Sequence, residues 1–299
     1  MHPVTEGIMR IDLHIHSATG SDGALTLQEI FTEAAKRHIE LISITDHGAV
    51  HHQGEAIRLA AAHSIRYVTG VELNVSFLHS GKEISLDFLG YGFDYRNTVL
   101  NGKLETMQKY DAERALKILE NLNRELKKEN LPLLMERDLA EMQEGIEGVL
   151  SRPHIADYLV KKKIVVDRQE AFDRYLVACN VPRYPLRLEE ASRLIREAGG
   201  KLILAHPNDP NVTSIAKITS NLPQQGRVIQ EEMIDSIDGI ECWHSRSDGA
   251  TTAYYIKFCR ENNLMMTGGS DCHQKPLLLG TLDVPDFVSK PFLHMCVKP

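Results

Sequence analysis

The chain has 299 residues, of which 42% are hydrophobic, and a formal net charge of −7 from 34 basic and 41 acidic residues. This length and this hydrophobic content are sufficient for a full-sized core and argue against a disordered chain. The negative charge gives no general attraction for a phosphate backbone, so we expect a small or terminally bound substrate instead of extended nucleic acid.

Short β-rich runs and helical patterns alternate along the first part of the chain. Hydrophobic periodicity predicts strands over residues 8–13, 41–45 and 66–71, and helices over residues 27–38 and 55–63. The alternation returns later, where we predict helices over residues 188–198 and 253–262 and strands over residues 201–205, 239–242 and 264–267. This order is typical of parallel strands joined by helical crossovers, and therefore of an α/β fold.

Residues 101–180 differ, because apolar side chains recur at helical spacing among many Lys, Arg and Glu residues and strand patterns are scarce. Pro182 and Pro185 end this region before the next predicted helix. We interpret residues 101–185 as a helical insertion that divides the α/β domain into residues 1–100 and 186–299.

The sequence contains neither an apolar stretch long enough to cross a bilayer nor an N-terminus with the basic and apolar regions of a secretory signal. Its five cysteines are odd in number, widely spaced and without a Cys-x-x-Cys pair, which indicates reduced thiols instead of a disulfide framework or a zinc ribbon. We therefore expect a cytoplasmic protein.

Metal-ligand side chains follow the carboxyl ends of the predicted strands. Residues two apart on an extended strand point to the same face, and the carboxyl ends of parallel strands meet at one edge, so these side chains can share a site. One His-x-His pair is a weak signal, but its repetition at separate strand ends disfavours independent surface residues. The predicted ligands of a multinuclear metal site are His14, His16, Asp22, His47, Glu72, His206, Asp271 and His273.

Two residues beside these ligands have predicted supporting roles. We expect Asp46 to accept the N–H of a ligating imidazole and fix its tautomer, and the alternative is an aspartate that caps the turn before Gly48. Strand alternation turns Cys272 away from the metal, so we expect a buried structural thiol there.

The remaining histidines near the motifs are less informative. We expect His51, His52 and His63 to be solvated, because no matching carboxylate accompanies them. His244, near Glu241, either lines the pocket or has no role in it, and the sequence leaves both readings open.

These motifs resemble those of the PHP (polymerase and histidinol phosphatase) superfamily of metal-dependent phosphoesterases. The runs at residues 151–156, 170–176 and 198–200 further resemble the branch that acts on nucleotide phosphates and short RNA ends. The resemblance implies an irregular (β/α)7 barrel of the PHP type, with the helical insertion over the barrel mouth.

The resemblance also implies three metal sites and two or three divalent ions, with Mn, Fe or Zn expected. His14, His16, Glu72 and Asp271 would form the first site, and Asp22, His47 and His273 the second. Glu72 would bridge to a third site with His206. There the chain departs from the family, since Asp87 stands where a histidine is usual, and a carboxylate favours a harder metal.

The implied chemistry is hydrolysis, in which hydroxide from a water bridging the cations attacks phosphorus without a Ser or Cys nucleophile. Arg152 and His154, with Arg183 and Arg246, are candidates for binding the phosphate, because the arginine fork matches phosphate geometry. The alternative for each arginine is a surface salt bridge.

The leading hypothesis is a phosphoesterase that hydrolyses phosphate monoesters of small nucleotides, with nucleoside 3′,5′-bisphosphates as candidate substrates. Three alternatives remain: a 5′-to-3′ exoribonuclease on short RNA, a histidinol-phosphate-type phosphatase, and a non-catalytic metal-binding regulatory module. The completeness of the ligand set argues against the last, since a degenerate member would be expected to lose several ligands.

Overall fold

A computed structural model describes residues 9–144, 150–274 and 277–297. The chain divides into two compact units, of which unit 1 comprises Met1–Asn101 and Leu186–Pro299 and unit 2 comprises Gly102–Pro185. None of the helices among the described residues combines the length and the apolar character that a membrane span requires.

The described part of unit 1 contains two sheets. In chain order the strands are β1 (Ile11–Asp12), β2 (Leu41–Ile42), β3 (Arg66–Tyr67), β4 (Gly70–His79), β5 (Lys82–Tyr91), β6 (Lys201–Leu204), β7 (Gly239–His244) and β8 (Met265–Gly269). The first sheet is parallel, in the order β1-β2-β3. The second has the order β4-β5-β6-β7-β8, in which the pairs formed by β5 are antiparallel and the pairs formed by β7 are parallel.

Helices connect most of these strands and make up most of unit 2. They are α1 (Leu27–Lys36), α2 (Gln53–Ala62), α3 (Thr98–Lys128), α4 (Glu136–Gln143), α5 (Arg152–Lys161), α6 (Arg168–Ala171), α7 (Leu188–Glu197), α8 (Leu222–Glu232), α9 (Gly249–Glu261) and α10 (Lys290–Leu293). A π-helical turn, Phe172–Leu176, follows α6. Single 3₁₀ turns occur at Ile215–Lys217 and Asp286–Val288.

The mixed α/β character predicted from the sequence is confirmed. Four of the predicted helices correspond to α1, α2, α7 and α9, with differences mainly at their ends. The first strand was predicted from residue 8, which lies outside the described residues, and β1 contains only Ile11–Asp12. Helix α8 was not predicted, because its apolar residues are sparse.

The prediction of uniformly parallel strands is wrong for β4, β5 and β6. Strands β4 and β5 pair over their full length, from Gly70 opposite Tyr91 to His79 opposite Lys82. Only Ser80 and Gly81 connect them, and both have positive φ angles, of 49° and 77°. A connection of two residues permits only an antiparallel hairpin, and positive φ at both positions suits the twist of the strands.

Backbone contacts beyond the strand ends link the two sheets within unit 1. Ile15 forms a parallel bridge with Cys272, and His47 forms one with Glu72. The N–H of Leu13 also donates to the carbonyl of Gly268, at 3.2 Å. The segments that follow β1 and β2 therefore lie beside β8 and β4, which brings the predicted ligands to one place.

Unit 2 has a hydrophobic core of its own. Helix α3 contributes Ile118, Leu122 and Leu126, which are nearly or fully inaccessible to solvent. Ile155 and Leu159 on α5 belong to the same buried cluster. The apolar residues that recur at helical spacing in this part of the sequence therefore form the buried face of α3.

Candidate metal centre

Glu72, on β4, lies at the middle of a cluster of imidazoles. Its Oε2 atom is 3.0 Å from His47 Nδ1, 3.2 Å from His16 Nε2 and 3.6 Å from His14 Nε2. Its Oε1 atom is 3.0 Å from His206 Nε2. One carboxylate therefore faces predicted ligands from the ends of three other strands.

Asp271 and Asp22 extend the cluster on the other side of His16. Asp271 Oδ1 lies 3.3 Å from His16 Nε2 and 3.4 Å from His14 Nε2. Asp22 Oδ1 lies 3.5 Å from His273 Nε2 and 3.7 Å from His47 Nε2. The loop after β1 and the segment after β8 thus converge on the same place, as the sequence motifs predict.

The donor set fits divalent cations. Glu72 Oε2 is buried and, within the described ranges, makes no hydrogen bond of good geometry although three imidazole nitrogens surround it. The Nε2 atoms of His14 and His16 are only 3.1 Å apart. Converging lone pairs of imidazole and carboxylate are the environment that a transition-metal ion such as Zn²⁺ requires.

Three groups of ligand atoms can each hold one ion among the described residues. Within each group the atoms lie within 4.8 Å of one another. The first group is His14, His16 and Asp271, the second is His16, Asp22, His47 and His273, and the third is His14, Glu72 and His206. His14 and His16 each belong to two groups, so we expect neighbouring sites to be coupled.

The protonation of the cluster depends on its internal charges. Burial by itself lowers the pKa of His16, but the adjacent carboxylates of Asp271 and Glu72 outweigh it and raise that pKa to about 10. Burial also lowers the pKa of His206, but the hydrogen bond to Glu72 and the charge of that carboxylate outweigh it and raise the pKa to about 9. Burial and the nearby positive charge of His16 lower the pKa of His273 to about 4. Cations that bind here must therefore displace protons.

Asp87 lies at the edge of the cluster and belongs to none of the three groups. Its Oδ2 atom is 4.0 Å from His206 Nε2. Its Oδ1 atom accepts a hydrogen bond of 2.6 Å from Asn74, and Oδ2 accepts one from the hydroxyl of Thr213. Its role as a metal ligand stays a prediction.

The expected contact between Asp46 and a ligating imidazole is indirect. Asp46 accepts hydrogen bonds from the backbone and the hydroxyl of Ser17, each at 2.6 Å, and from the hydroxyl of Ser21 at 2.7 Å. Ser21 Oγ in turn lies 3.3 Å from His16 Nδ1. Because the Ser21 hydroxyl donates to Asp46, its oxygen is available to accept the Nδ1–H of His16 and leave Nε2 for a metal.

The prediction that His52 is solvated is wrong. His52 is buried, and its Nε2 atom lies 3.1 Å from Asp46 Oδ2. His51 is exposed as predicted, whereas His63 is half-buried. Local sequence could not separate His51 from His52, because the direction of each side chain follows from the start of α2 at Gln53.

Glu241, on β7, is a functional candidate that we did not predict. It is buried, its Oε1 atom lies 3.0 Å from His14 Nδ1, and its Oε2 atom accepts a hydrogen bond of 2.8 Å from the backbone N–H of His206. Like the predicted ligands, Glu241 stands near the carboxyl end of a predicted strand, and this position was the feature of the sequence that could have identified it. His244 also lines the cluster, with Nε2 at 3.4 Å from Asp271 Oδ2.

Arg246 forms ion pairs next to the cluster. Its Nη2 atom donates to Asp271 Oδ2 at 2.6 Å, and its Nε atom pairs with Asp209. The salt bridge that we considered as the alternative for Arg246 is therefore present. Cys272 is 5% exposed and packs in a hydrophobic core cluster, in agreement with a structural thiol.

The other predicted phosphate-binding residues, Arg152, His154 and Arg183, belong to unit 2. Arg152 lies over the ring of Phe172, with 5.5 Å between the guanidinium carbon and the ring centroid. His154 Nδ1 accepts a hydrogen bond of 3.1 Å from the backbone N–H of Ser151 at the start of α5. Their binding of phosphate stays a prediction.

Comparison with known proteins identifies the family. The PHP domain model matches residues 12–180, which is more than half of the chain. This chain belongs to the PHP domain family. A solved structure of an amidohydrolase from Chromobacterium violaceum, with bound sulfate and no metal, is 26% identical to this PHP chain and has a TM-score of 0.79, covering 97% of this chain and 98% of that one.

Two relatives of this PHP protein have named activities. A 3′,5′-nucleoside bisphosphate phosphatase of Chromobacterium violaceum is 33% identical over 201 residues, which are 66% of each chain. A 5′-3′ exoribonuclease of Haemophilus influenzae is 27% identical over 269 residues, which are 88% of this chain and 90% of that protein. The predicted family and the predicted class of enzyme, a phosphoesterase of the hydrolase type, are confirmed.

Proposed function

We propose that this PHP protein hydrolyses phosphate monoesters of small nucleotides, with nucleoside 3′,5′-bisphosphates as the leading substrate class. The observation that carries the proposal is the convergence of three ligand groups that share His14 and His16. The Chromobacterium violaceum relative, which is 33% identical to this chain over 201 residues, has a matching name. The net charge of −7 favours a small substrate over an extended nucleic acid.

We further propose that the centre holds two or three divalent ions, with Mn, Fe or Zn preferred. When bound, such ions supply an activated water and neutralise the oxygens of the phosphate. Imidazole nitrogen predominates in the group of His16, Asp22, His47 and His273, which suits these metals better than Mg²⁺ or Ca²⁺. Asp87 and the oligomeric state remain outside this proposal, and a cytoplasmic location stays a prediction.

The protein's own residues hold the centre and leave the attack on phosphorus to water. Ser17 and Ser21, two hydroxyl residues close to His16 in sequence, both donate to Asp46 and are thereby occupied. Arg246 is tied to Asp271, so it holds that carboxylate with Oδ1 toward the histidines. These contacts support positioning roles, in agreement with hydrolysis that needs no Ser or Cys nucleophile.

We propose that Arg152, Arg183 and His154 bind a phosphate group of the substrate. Arg152 and Arg183 are half-buried, and no carboxylate among the described residues lies within salt-bridge distance of either. Burial, followed by the positive charge of Arg183, lowers the pKa of both Arg152 and Arg114. Half-buried positive charges that repel one another are stabilised by an anion, and a phosphate suits guanidinium groups.

We also propose that the strands of unit 1 form the irregular (β/α)7 barrel that the family resemblance implies. The bridges Ile15 to Cys272 and His47 to Glu72 support it, because they connect the segments after β1 and β2 to the segment after β8 and to β4. The second candidate function, trimming of short RNA from its 5′ end, is favoured by the exoribonuclease relative, which this chain matches over 90% of that protein's length.

The deciding experiment measures initial rates on a nucleoside 3′,5′-bisphosphate, the matched mononucleotide and a 5′-phosphorylated short RNA, with bound metal quantified in the same preparation. We expect the bisphosphate to be hydrolysed at least about tenfold more efficiently than either other substrate, which corresponds to about 1.4 kcal/mol of transition-state stabilisation. His14→Ala should abolish turnover, whereas His51→Ala, at an exposed histidine, should not. Faster turnover of the RNA would favour the second candidate.

The phosphate-binding role of unit 2 has a separate test. Arg152→Gln and Arg183→Gln should raise KM for the bisphosphate by about 10-fold or more, because a charge-assisted hydrogen bond contributes about 1.5–3 kcal/mol. The control is Arg168→Gln, since Arg168 is paired with Asp157 in the same unit. Unchanged KM in both variants would remove these arginines from substrate binding.

A further inference from the structure

Glu241 contacts two predicted metal ligands that are remote from it in sequence. Its side chain is fully buried, with one oxygen at 3.0 Å from His14 Nδ1 and the other accepting the backbone N–H of His206 at 2.8 Å. His14 Nε2 points the opposite way, toward His16 and Asp271. The carboxylate thus lies behind His14, on the side away from the other ligands.

A bulge in β7, directly after Glu241, places His244 at the same cluster. Glu241 pairs with Thr267 of β8, but the next residue of β8, Gly268, pairs with Trp243, so Cys242 is the additional residue. In a regular strand Glu241 and Trp243 would share a face. The bulge turns Trp243 toward Phe287, at 6.0 Å between ring centroids, and lets His244 join Glu241 at the histidine cluster.

The backbone of His206 needs such a contact. His206 has a φ angle of 25°, in a region that residues with a side chain rarely adopt. A residue persists in such a conformation only when its surroundings impose it. The hydrogen bond from the N–H of His206 to Glu241 Oε2 is one contact that does so.

We propose that Glu241 is a positioning residue that keeps the proton of His14 on Nδ1 and holds His206 in place, so that both direct Nε2 toward a cation. The proposal rests on the proposed function, because it assumes that the two histidines are metal ligands. A carboxylate behind a ligating imidazole fixes the tautomer and makes the ligand more basic. Glu241 would do this for His14 and orient His206 at the same time.

The effect should be confined to part of the centre. His14 belongs to the group with His16 and Asp271 and to the group with Glu72 and His206. The remaining group, His16, Asp22, His47 and His273, contains neither His14 nor His206. Loss of Glu241 should therefore weaken the ions held by the two groups that contain His14 and spare the ion of the group His16, Asp22, His47 and His273.

Glu241→Gln is the informative variant, because glutamine keeps the size of the side chain but replaces one acceptor with a donor. If the amide N–H faces His14, the proton of that imidazole is forced onto Nε2, and if it faces His206 two N–H groups oppose each other. Metal content and affinity are measured by competition with a chelator. We expect binding of one class of ion to weaken by about 10–100-fold while another class is unchanged.

Two further variants control this result. Asp46→Asn alters the support of Ser21 and His16, so it should weaken the two groups that contain His16 and spare the group of His14, Glu72 and His206, which is a different pattern from that of Glu241→Gln. Glu232→Gln changes a Glu–His pair at the surface, with 2.8 Å between Glu232 and His79, and should change neither class of ion. In zinc-loaded wild-type protein labelled with ¹⁵N at histidine, His14 should carry its proton on Nδ1 and leave Nε2 to the metal.

The outcomes separate this inference from the proposed function. If the wild type binds no metal or hydrolyses none of the phosphate substrates, the proposed function fails. If the wild type does both and Glu241→Gln retains wild-type affinity for every ion, the positioning role is overturned. Should Glu241→Gln lose its native circular dichroism spectrum, Glu241→Asp, which keeps the charge but is too short for both contacts, is measured instead, and wild-type affinity there also overturns the role.

Discussion

Two predicted ligands have backbone conformations that are costly by themselves. His206 and Asp271 have φ angles of 25° and 52°, in the left-handed region. Hydrogen bonds hold both residues, from His206 N to Glu241 and from Asp271 N to the carbonyl of His14 at 2.8 Å. Each conformation turns a strand end sharply toward the cluster, so local strain and function coincide at this site.

Gly20 is required by the buried network around Asp46. A Cβ atom at position 20 would lie 2.2 Å from Asp46 Oδ2 and 2.6 Å from His52 Cε1. We expect Gly20→Ala to lower the free energy of unfolding by about 1–3 kcal/mol, because the network must move. It should also weaken metal binding, since Asp46 supports His16 through Ser21. Urea unfolding and metal content measure the two effects.

The matched control for this substitution is Gly102→Ala. Gly102 lies in α3, and a Cβ atom there would meet nothing within 4 Å. Alanine should stabilise the helix by about 0.5–1 kcal/mol, because it loses less backbone entropy on folding. Equal stability of the two alanine variants would contradict the role assigned to Gly20.

At the scale of elements, irregular features direct side chains to the centre. The bulge in β7 brings Glu241 and His244 to one face. The two-residue turn between β4 and β5 makes a hairpin that presents Glu72 and, on the neighbouring strand, Asp87. A regular alternation of strands and helices would bring together neither Glu241 with His244 nor Glu72 with Asp87. The first pair depends on the bulge in β7, and the second depends on the hairpin of β4 and β5.

Helix α3 should be stabilised mainly by its buried face. Leu122 is fully buried in the core of unit 2, whereas Leu116 on the same helix is 47% exposed. Leu122→Ala should lower the free energy of unfolding by about 2–5 kcal/mol through lost burial and a cavity. Leu116→Ala should change it by about 0.5 kcal/mol or less. The comparison is made by urea unfolding followed by circular dichroism.

An equal effect of the two leucine substitutions would contradict the assigned core of unit 2. The pair is informative because the residue type, the substitution and the helix are the same. Only the burial of the side chain differs, so helix propensity cancels in the comparison.

At the scale of the whole molecule, the centre couples stability to pH when metal is absent. The pKa of His16 is raised to about 10 and that of His206 to about 9, in both cases by carboxylates that outweigh burial. The folded protein therefore holds protons that the unfolded chain releases above its ordinary histidine pKa of about 6.5. The contribution of these protons to the free energy of unfolding is fully present below pH 6.5 and is lost as pH rises through about 9–10.

We therefore expect chelator-treated protein to lose stability steadily from about pH 7 to pH 10, as measured by thermal or urea unfolding. His273, with a pKa near 4, is neutral over this window and does not contribute. Metal-loaded protein should lack this loss, because bound cations replace the protons, and it should be more stable by about 2.7 kcal/mol at a metal concentration 100-fold above Kd. A pH profile that is the same with and without metal would contradict this account.

Much of the fold and of the site follows from the sequence. Helical periodicity located α1, α2, α7 and α9, because each buries one face. Alternation on extended segments placed His14 beside His16, since residues two apart share a face. The hairpin of β4 and β5 had a signal as well, in Ser80 and Gly81 between two alternating runs, but the expected parallel rhythm concealed it.

The sequence by itself determined which side chains could hold a metal and that they stand at the ends of strands, because residue type and periodicity are local properties. Only the tertiary structure decided that Glu241 supports His14, that His52 is buried against Asp46, and that Asn74 and Thr213 bind the carboxylate of Asp87. These contacts join segments far apart in the chain. They depend on the direction in which a bulge, a turn or a helix start points each side chain, and that direction is set by packing across the whole of unit 1.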